Sequence, residues 1–316
     1  MTRTYKILTI LGSPHDRKSN TRALVDDFVQ EVANAGLQLE HQVISLGRKT
    51  VLPCKGCWNC TRNKPCPQSA KDDLDEIKTA MIDCDMLIIA CPVYTNQITA
   101  QLKALFDRLF TWCHIFPLLG KYSLSACTTG GDGIEKTSAF IEKMLATYGT
   151  YSFGTISSRG GFTPGLFPLR GIAREKYRKL ARHVASTLIE GKRLSVNAKQ
   201  KKMFKVMKRK MMGIHTVNYI LKGNANSHPT PPWLFLRLIK RFIMKFKLSD
   251  KELQTWSELL SFELDWWKDR GWLNTRSFKD LVKRPIPDNF DARRRLLREY
   301  GMIEHSMPSK STVCSS

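Results

Sequence analysis

The chain contains no run of about 18 apolar residues, so no segment reads as a membrane-spanning helix. It lacks G-x-G-x-x-G, which removes the dinucleotide fingerprint, and it lacks G-K-[ST], which removes the triphosphate loop. Zinc-finger spacing and the aromatic RNP pattern are missing too, so nucleic acid is not expected as a partner. No long apolar stretch separates Met1-Thr2-Arg3-Thr4-Tyr5-Lys6 from the first strand-like run. Nine cysteines without a secretory leader lead to the expectation of a reducing, cytoplasmic compartment. Acidic residues are scarce: 28 Asp+Glu stand against 51 Lys+Arg, a formal net charge of +23.

What is present suits a soluble globular protein. The 316 residues leave room for about two domains, and the chain is 42% hydrophobic and 25% charged. Residues 1–190 carry 24 Lys+Arg against 17 Asp+Glu, whereas residues 191–316 carry 27 against 11, so the last third holds most of the excess. Up to residue 190 strand and helix signals alternate. Strand-like runs are expected at 6–11, 39–46, 86–91, 122–127 and 152–156. Helical periodicity is expected from Ser19 to about Ala35, from Lys71 to about Ile82, and from about Thr99 to Trp112. Two more helices are expected over 134–145 and 172–190. Five strands alternating with helices read as an α/β, doubly wound, five-stranded parallel sheet of flavodoxin-like order 2-1-3-4-5. Ligands of such sheets bind outside the carboxyl ends of the strands, at the switch point.

Three loops fall on that edge. The first, Gly12-Ser13-Pro14-His15-Asp16-Arg17-Lys18-Ser19-Asn20-Thr21, offers hydroxyls and free amides at a helix start, suited to a monophosphate such as that of FMN. A plain N-capped turn would account for Ser19 alone. The second, Cys91-Pro92-Val93-Tyr94-Thr95-Asn96-Gln97, offers an aromatic face and amides to a planar ring. The third, Thr128-Thr129-Gly130-Gly131-Asp132-Gly133, carries three glycines that permit close backbone approach.

Four cysteines, Cys54, Cys57, Cys60 and Cys66, sit in C-K-G-C-W-N-C-T-R-N-K-P-C-P, between the second strand and the next helix. C-x2-C-x2-C followed by Cys-Pro is the run with which ferredoxins hold an iron–sulfur cluster. Zinc, which prefers two separated C-x2-C pairs, and free thiols are the alternative readings. Cys84, Cys91, Cys113 and Cys127 lie in apolar segments and are expected to pack as small hydrophobes, with Cys314 in an exposed tail.

Taken in order, G-S-P-x4-S-N-T, C-x-G-C-x2-C-x5-C, D-D-L, P-V-Y and A-Q-L-K-A-L-F-D-R resemble the iron–sulfur flavoprotein and NAD(P)H-dependent FMN reductase group of the flavodoxin-like superfamily, over about residues 5–190. The resemblance implies FMN, a nicotinamide donor, a small quinone-like or other acceptor, and a homo-oligomer. It assigns the phosphate to Ser13, Ser19, Asn20 and Thr21, where relatives often have glycine at the position of Ser19. It assigns the ring to Pro92, Val93, Tyr94, Asn96 and Gln97, with Thr129, Gly130 and Gly131 on the far side. Relatives with this cysteine pattern include both iron–sulfur proteins and plain flavin reductases, so a [4Fe-4S] cluster on the four cysteines is an expectation. No side chain is needed as an obligate acid or base. An electron carrier serving protein partners, or a docking protein with a vestigial flavin fold, are the competing readings.

The expected organisation is a flavin-binding unit over 1–190 with the cysteine loop at 54–66, a basic helical extension over 191–307, and a disordered tail over 308–316. Within the extension, Lys199 to Lys210 is basic with interleaved apolar residues. Segment 232–247 presents a wide apolar face headed by Trp233, expected either to lie on an anionic membrane or to dock on protein. Trp256, Trp266, Trp267 and Trp272 point to a small packed helical unit.

Overall fold

A computed structural model describes residues 3–62, 64–160, 172–192, 194, 198–221, 261–270 and 272–274. The membrane-or-docking segment 232–247, Trp256, Cys314 and the tail after 307 lie outside the described residues.

Five parallel strands form one sheet: β1 (Tyr5–Leu11), β2 (Leu39–Ser45), β3 (Met86–Pro92), β4 (Tyr122–Thr129) and β5 (Tyr151–Arg159), in the order β2-β1-β3-β4-β5. This is the expected flavodoxin-like order. Continuous apolar runs suit strands covered on both faces. Strand alternation divides β1 and β3 between two cores. Ile7, Leu11, Met86, Ile88 and Ala90 face helices α1 (Asn20–Asn34) and α6 (Ile172–Glu190). Leu8, Ile10, Leu87, Ile89 and Cys91 face α2 (Leu74–Asp83), α3 (Ala100–Arg108), α4 (Trp112–Ile115) and α5 (Ile134–Thr147). The chain leaves β1 toward β2 and returns past it to β3, so the switch point lies between β1 and β3.

Two boundaries differ from the periodic reading. Helix α2 begins at Leu74 rather than Lys71, because Asp72 and Asp73 turn their carboxylates onto the backbone of 50–52 instead of entering the helix. Helix α3 ends at Arg108, and a separate turn, α4, swings the buried Trp112 edge-on to Tyr148 at 5.8 Å.

Beyond residue 190 the chain forms α7 (Ala198–Leu221) and α8 (Ser261–Asp269). Phe204, Met211, Ile214, Leu264, Trp266, Trp267 and Trp272 are buried in the same apolar cluster as the α3–α5 face of the sheet. The three tryptophans are 0% exposed. Trp266 and Trp267 donate their indole N–H groups to the carbonyls of Ile115 and His114, at 3.1 and 2.8 Å. Phe204 stacks on Trp267 at 5.8 Å and 13°. Aromatic bodies, with the indole N–H groups of Trp266 and Trp267 satisfied, account for this docking. Among the described residues no helix is long and apolar enough to cross a membrane.

Candidate functional site

The first loop is drawn tight at its start. Gly12 donates to the carbonyl of Ala90 at 2.7 Å and accepts from the Thr99 hydroxyl at 2.7 Å. A side chain at Gly12 would press on Thr99, Leu102 and Cys91 at 3.2–3.3 Å. Thr99 also caps α3 by accepting from the Leu102 amide at 3.4 Å. Ser13 is 1% exposed, and its hydroxyl accepts from the His15 amide at 3.3 Å. Ser19 caps α1 by accepting from the Arg22 amide at 3.4 Å. Thr21 shares a 2.6 Å hydrogen bond with Thr128, joining α1 to the end of β4. Asp16, at φ 46°, pairs with Arg48 and, at 3.9 Å, with Arg22.

The second loop folds on itself. Tyr94 and Gln97 exchange backbone hydrogen bonds of 2.9 and 3.0 Å around Thr95 and Asn96, both left-handed at φ 49° and 58°. Val93 donates to the carbonyl of Thr128 at 2.8 Å, so the second and third loops are joined at their roots. The Tyr94 ring is 43% exposed. In the third loop the Thr129 hydroxyl bonds the Gly131 amide and the Asp132 carbonyl at 3.1 and 3.0 Å.

Between the loops lies a cleft of about 320 Å³ lined by Ser13, His15, Lys18, Ser19, Asn20, Thr21, Pro92, Val93, Tyr94, Thr128, Thr129, Gly130 and Gly160. Nine of the twelve expected contact residues line it. Asn96, Gln97 and Gly131 do not: the Asn96 backbone abuts Gly133, Gln97 is engaged by Tyr94, and a Cβ built on Gly131 would meet nothing within 4 Å. Four further lining residues were not assigned from sequence: His15 and Lys18 belong to the first loop, where the hydroxyl residues were the marker, and Thr128 and Gly160 stand at strand ends, which carry no local marker of the cleft they border. The glycine that permits close approach is Gly133, but toward protein: at φ +93° it lies where a Cβ would come within 2.7–2.9 Å of Asn96 and Val93.

These groups suit a flavin mononucleotide. One end of the cleft presents hydroxyls, helix-start amides and the Lys18 ammonium, and the other an aromatic ring and a glycine-bearing backbone. Its volume sits at the low end of the roughly 300–1,000 Å³ of small-molecule sites.

The cysteine loop occupies 53–71, between β2 and α2. Cys54, Cys57 and Cys60 are exposed and Cys66 is half-buried; none is in a disulfide. Four thiols in one loop are the donor chemistry of an iron–sulfur site. As folded they are not drawn together: among the described residues, no three Cys, His, Asp or Glu side chains form a metal-holding group. The exposed Trp58, left-handed at φ 60°, stands edge-on to Phe110 at 5.3 Å. The other four described thiols behave as expected of core residues. Burial pushes Cys84 and Cys91 up to about 11 and raises Cys113 and Cys127 as well.

The pattern of the NADPH-dependent FMN reductase family matches residues 5–159. An iron–sulfur flavoprotein of Archaeoglobus fulgidus is 32% identical over 150 residues, 47% of this chain and 66% of that protein. One of Methanocaldococcus jannaschii is 40% identical over 103 residues, 33% of this chain and 51% of that protein. The chain thus spans about half to two thirds of the length of these two relatives. One of Methanosarcina thermophila is 34% identical over 162 residues, covering 50% of this chain and 82% of its own. With the sheet order and the three-loop cleft already in place, these matches mean that the chain belongs to the flavodoxin-like NADPH-dependent FMN reductase group, in company with the iron–sulfur flavoproteins.

Proposed function

We propose that this protein is an FMN-dependent oxidoreductase that takes electrons from NAD(P)H and passes them to a small, quinone-like acceptor. The observation that carries this reading is the cleft at the β1/β3 switch point, polar and cationic at the α1 end and aromatic at the second loop. Ser13, Ser19, Asn20 and Thr21 are the proposed phosphate contacts, with Lys18 supplying charge. Pro92, Val93 and Tyr94 are proposed along the ring, opposite Thr129 and Gly130. Asn96, Gln97 and Gly131 are proposed at the rim, where a ring extending past the cleft would meet them. Bound there, the flavin would supply the hydride and electron chemistry, while the protein supplies position and electrostatics.

Residues 1–190 are the proposed flavin-binding unit, and the helices beyond 190 are proposed to brace it through the α3–α5 face. Cys54, Cys57, Cys60 and Cys66 are the proposed ligands of an iron–sulfur cluster, supported by their spacing and by the names of the relatives. A second copy of the chain is proposed to cover the exposed Tyr94 turn.

The test is a titration of purified apoprotein with FMN, followed by quenching of flavin fluorescence. Saturable 1:1 binding is expected, with anaerobic bleaching of the bound flavin on adding NADH or NADPH. Absence of saturable binding would remove the proposal; binding without bleaching by either nicotinamide would leave a flavin protein that is not a nicotinamide reductase.

A further inference from the structure

Two motif residues have no part in the cleft: Asp72 of D-D-L and Arg108, which closes A-Q-L-K-A-L-F-D-R. They stand 36 positions apart in sequence and meet at 2.5 Å, with side chains 0% and 2% exposed. A buried ion pair is seldom retained for stability alone, because desolvation consumes much of the attraction. Here its remaining hydrogen bonds describe a clamp. The Arg108 Nη1 also donates to the carbonyl of Leu52 at 3.0 Å. Asp72 accepts from the Leu52 amide at 3.0 Å and the Leu74 amide at 3.2 Å. Next door, Asp73 accepts from the Thr50 amide at 2.7 Å and donates its own amide to the Thr50 carbonyl at 2.9 Å. The residues entering the cysteine loop are therefore bound to those leaving it, and both to the end of α3.

The second terminal nitrogen points into the loop: Arg108 Nη2 lies 3.4 Å from the Cys66 sulfur. Of the four clustered cysteines, the other three are exposed. A guanidinium presents several N–H groups in a rigid fork, so it serves carbonyl, carboxylate and sulfur at once; a lysine ammonium at the same place lacks that geometry.

We propose that Arg108, held by Asp72, is the positioning residue of the cysteine loop: it fixes Cys66 as the anchored sulfur on which a cluster is built, and its N–H group tunes that sulfur. This rests on the iron–sulfur reading of the loop given above. Hydrogen bonds to ligand sulfurs and nearby charge help set cluster potentials. An added cationic donor favours the more negative, reduced state, so its removal shifts the potential downward.

The experiment uses the full chain, purified anaerobically, with Arg108→Lys and the double variant Asp72→Asn/Arg108→Gln, which keeps neutral hydrogen-bonding groups at the clamp. In metal-free protein, iodoacetamide labelling of the native state is mapped by mass spectrometry. Cys66 is expected to react slowest of the four in the parent chain and to approach the rate of Cys54 in the double variant. After reconstitution with iron and sulfide, the chelator concentration that strips half the iron is expected to fall about 10- to 100-fold in the double variant, as for other outer-shell partners of metal ligands. Its reduction potential is expected to be more negative. FMN titration, which the clamp does not touch, is expected to be unchanged and reports that the variants fold. Equal labelling of Cys54 and Cys66 in the parent chain, or variants with parental labelling and iron retention, would overturn the proposal. So would a parent chain that binds FMN and takes up no iron. A parent chain that failed to bind FMN would sink the flavin reading instead, with the labelling contrast still decisive for Arg108.

Discussion

Replacing Gly133 by alanine tests how the cleft is assembled. The residue sits at φ +93°, where an L side chain is strained by about 1–2 kcal/mol. The new Cβ would also lie 2.7 Å from Asn96 Oδ1, 2.8 Å from Asn96 Cα and 2.9 Å from Val93 Cγ1. The amide oxygen can swing away, but the Asn96 Cα is backbone, and overpacking of this kind costs about 1–3 kcal/mol. The sum is roughly 2–5 kcal/mol, to be relieved only by moving the Tyr94 turn away from the third loop. If about half of that falls on the FMN-binding geometry, FMN affinity drops by one to two orders of magnitude, at 1.4 kcal/mol per tenfold. Gly36→Ala is the control: that glycine has nearly the same φ, +95°, but an added Cβ there would meet nothing within 4 Å, and it does not line the cleft; it should lose about 1–2 kcal/mol of stability and leave FMN affinity unchanged. FMN fluorescence titration and thermal unfolding of the apoprotein read the two parts. Parental affinity and melting temperature in Gly133→Ala, or an equal loss of FMN affinity in Gly36→Ala, would refute the packing argument.

Two further predictions concern stability. His41 is held below its ordinary value of 6.5, chiefly by burial, and is bonded to the Thr9 hydroxyl at 2.9 Å. The unfolded chain thus takes up this proton more readily, so the stabilising effect of neutral His41 is present above pH 6.5 and is lost as pH falls through and below that value. His41→Gln should flatten the pH dependence of urea unfolding in that window, and an unchanged pH slope would contradict it. Trp267→Ala removes a fully buried ring and the bond to the His114 carbonyl, and should cost about 3–5 kcal/mol in denaturant unfolding. A loss below about 1 kcal/mol would mean that α8 is not part of the core.

Read as a string, the chain already determined its sheet: the run at β3 is apolar throughout and that at β1 is broken only by Lys6 and Thr9, because both faces are covered, and such a run is a local property. Ser19 as the α1 cap, the phosphate-type first loop and the four clustered thiols were legible for the same reason, since each depends on neighbours within a few positions. What only the folded molecule decided are pairings across long stretches. Thr21 meets Thr128, Thr99 holds Gly12, and Arg108 reaches Asp72, Leu52 and Cys66. Nothing in the residue types marks which aspartate of D-D-L meets Arg108 or which of three glycines is crowded. Those outcomes depend on where closure of the sheet brings distant backbone and on which polar groups burial then leaves to satisfy.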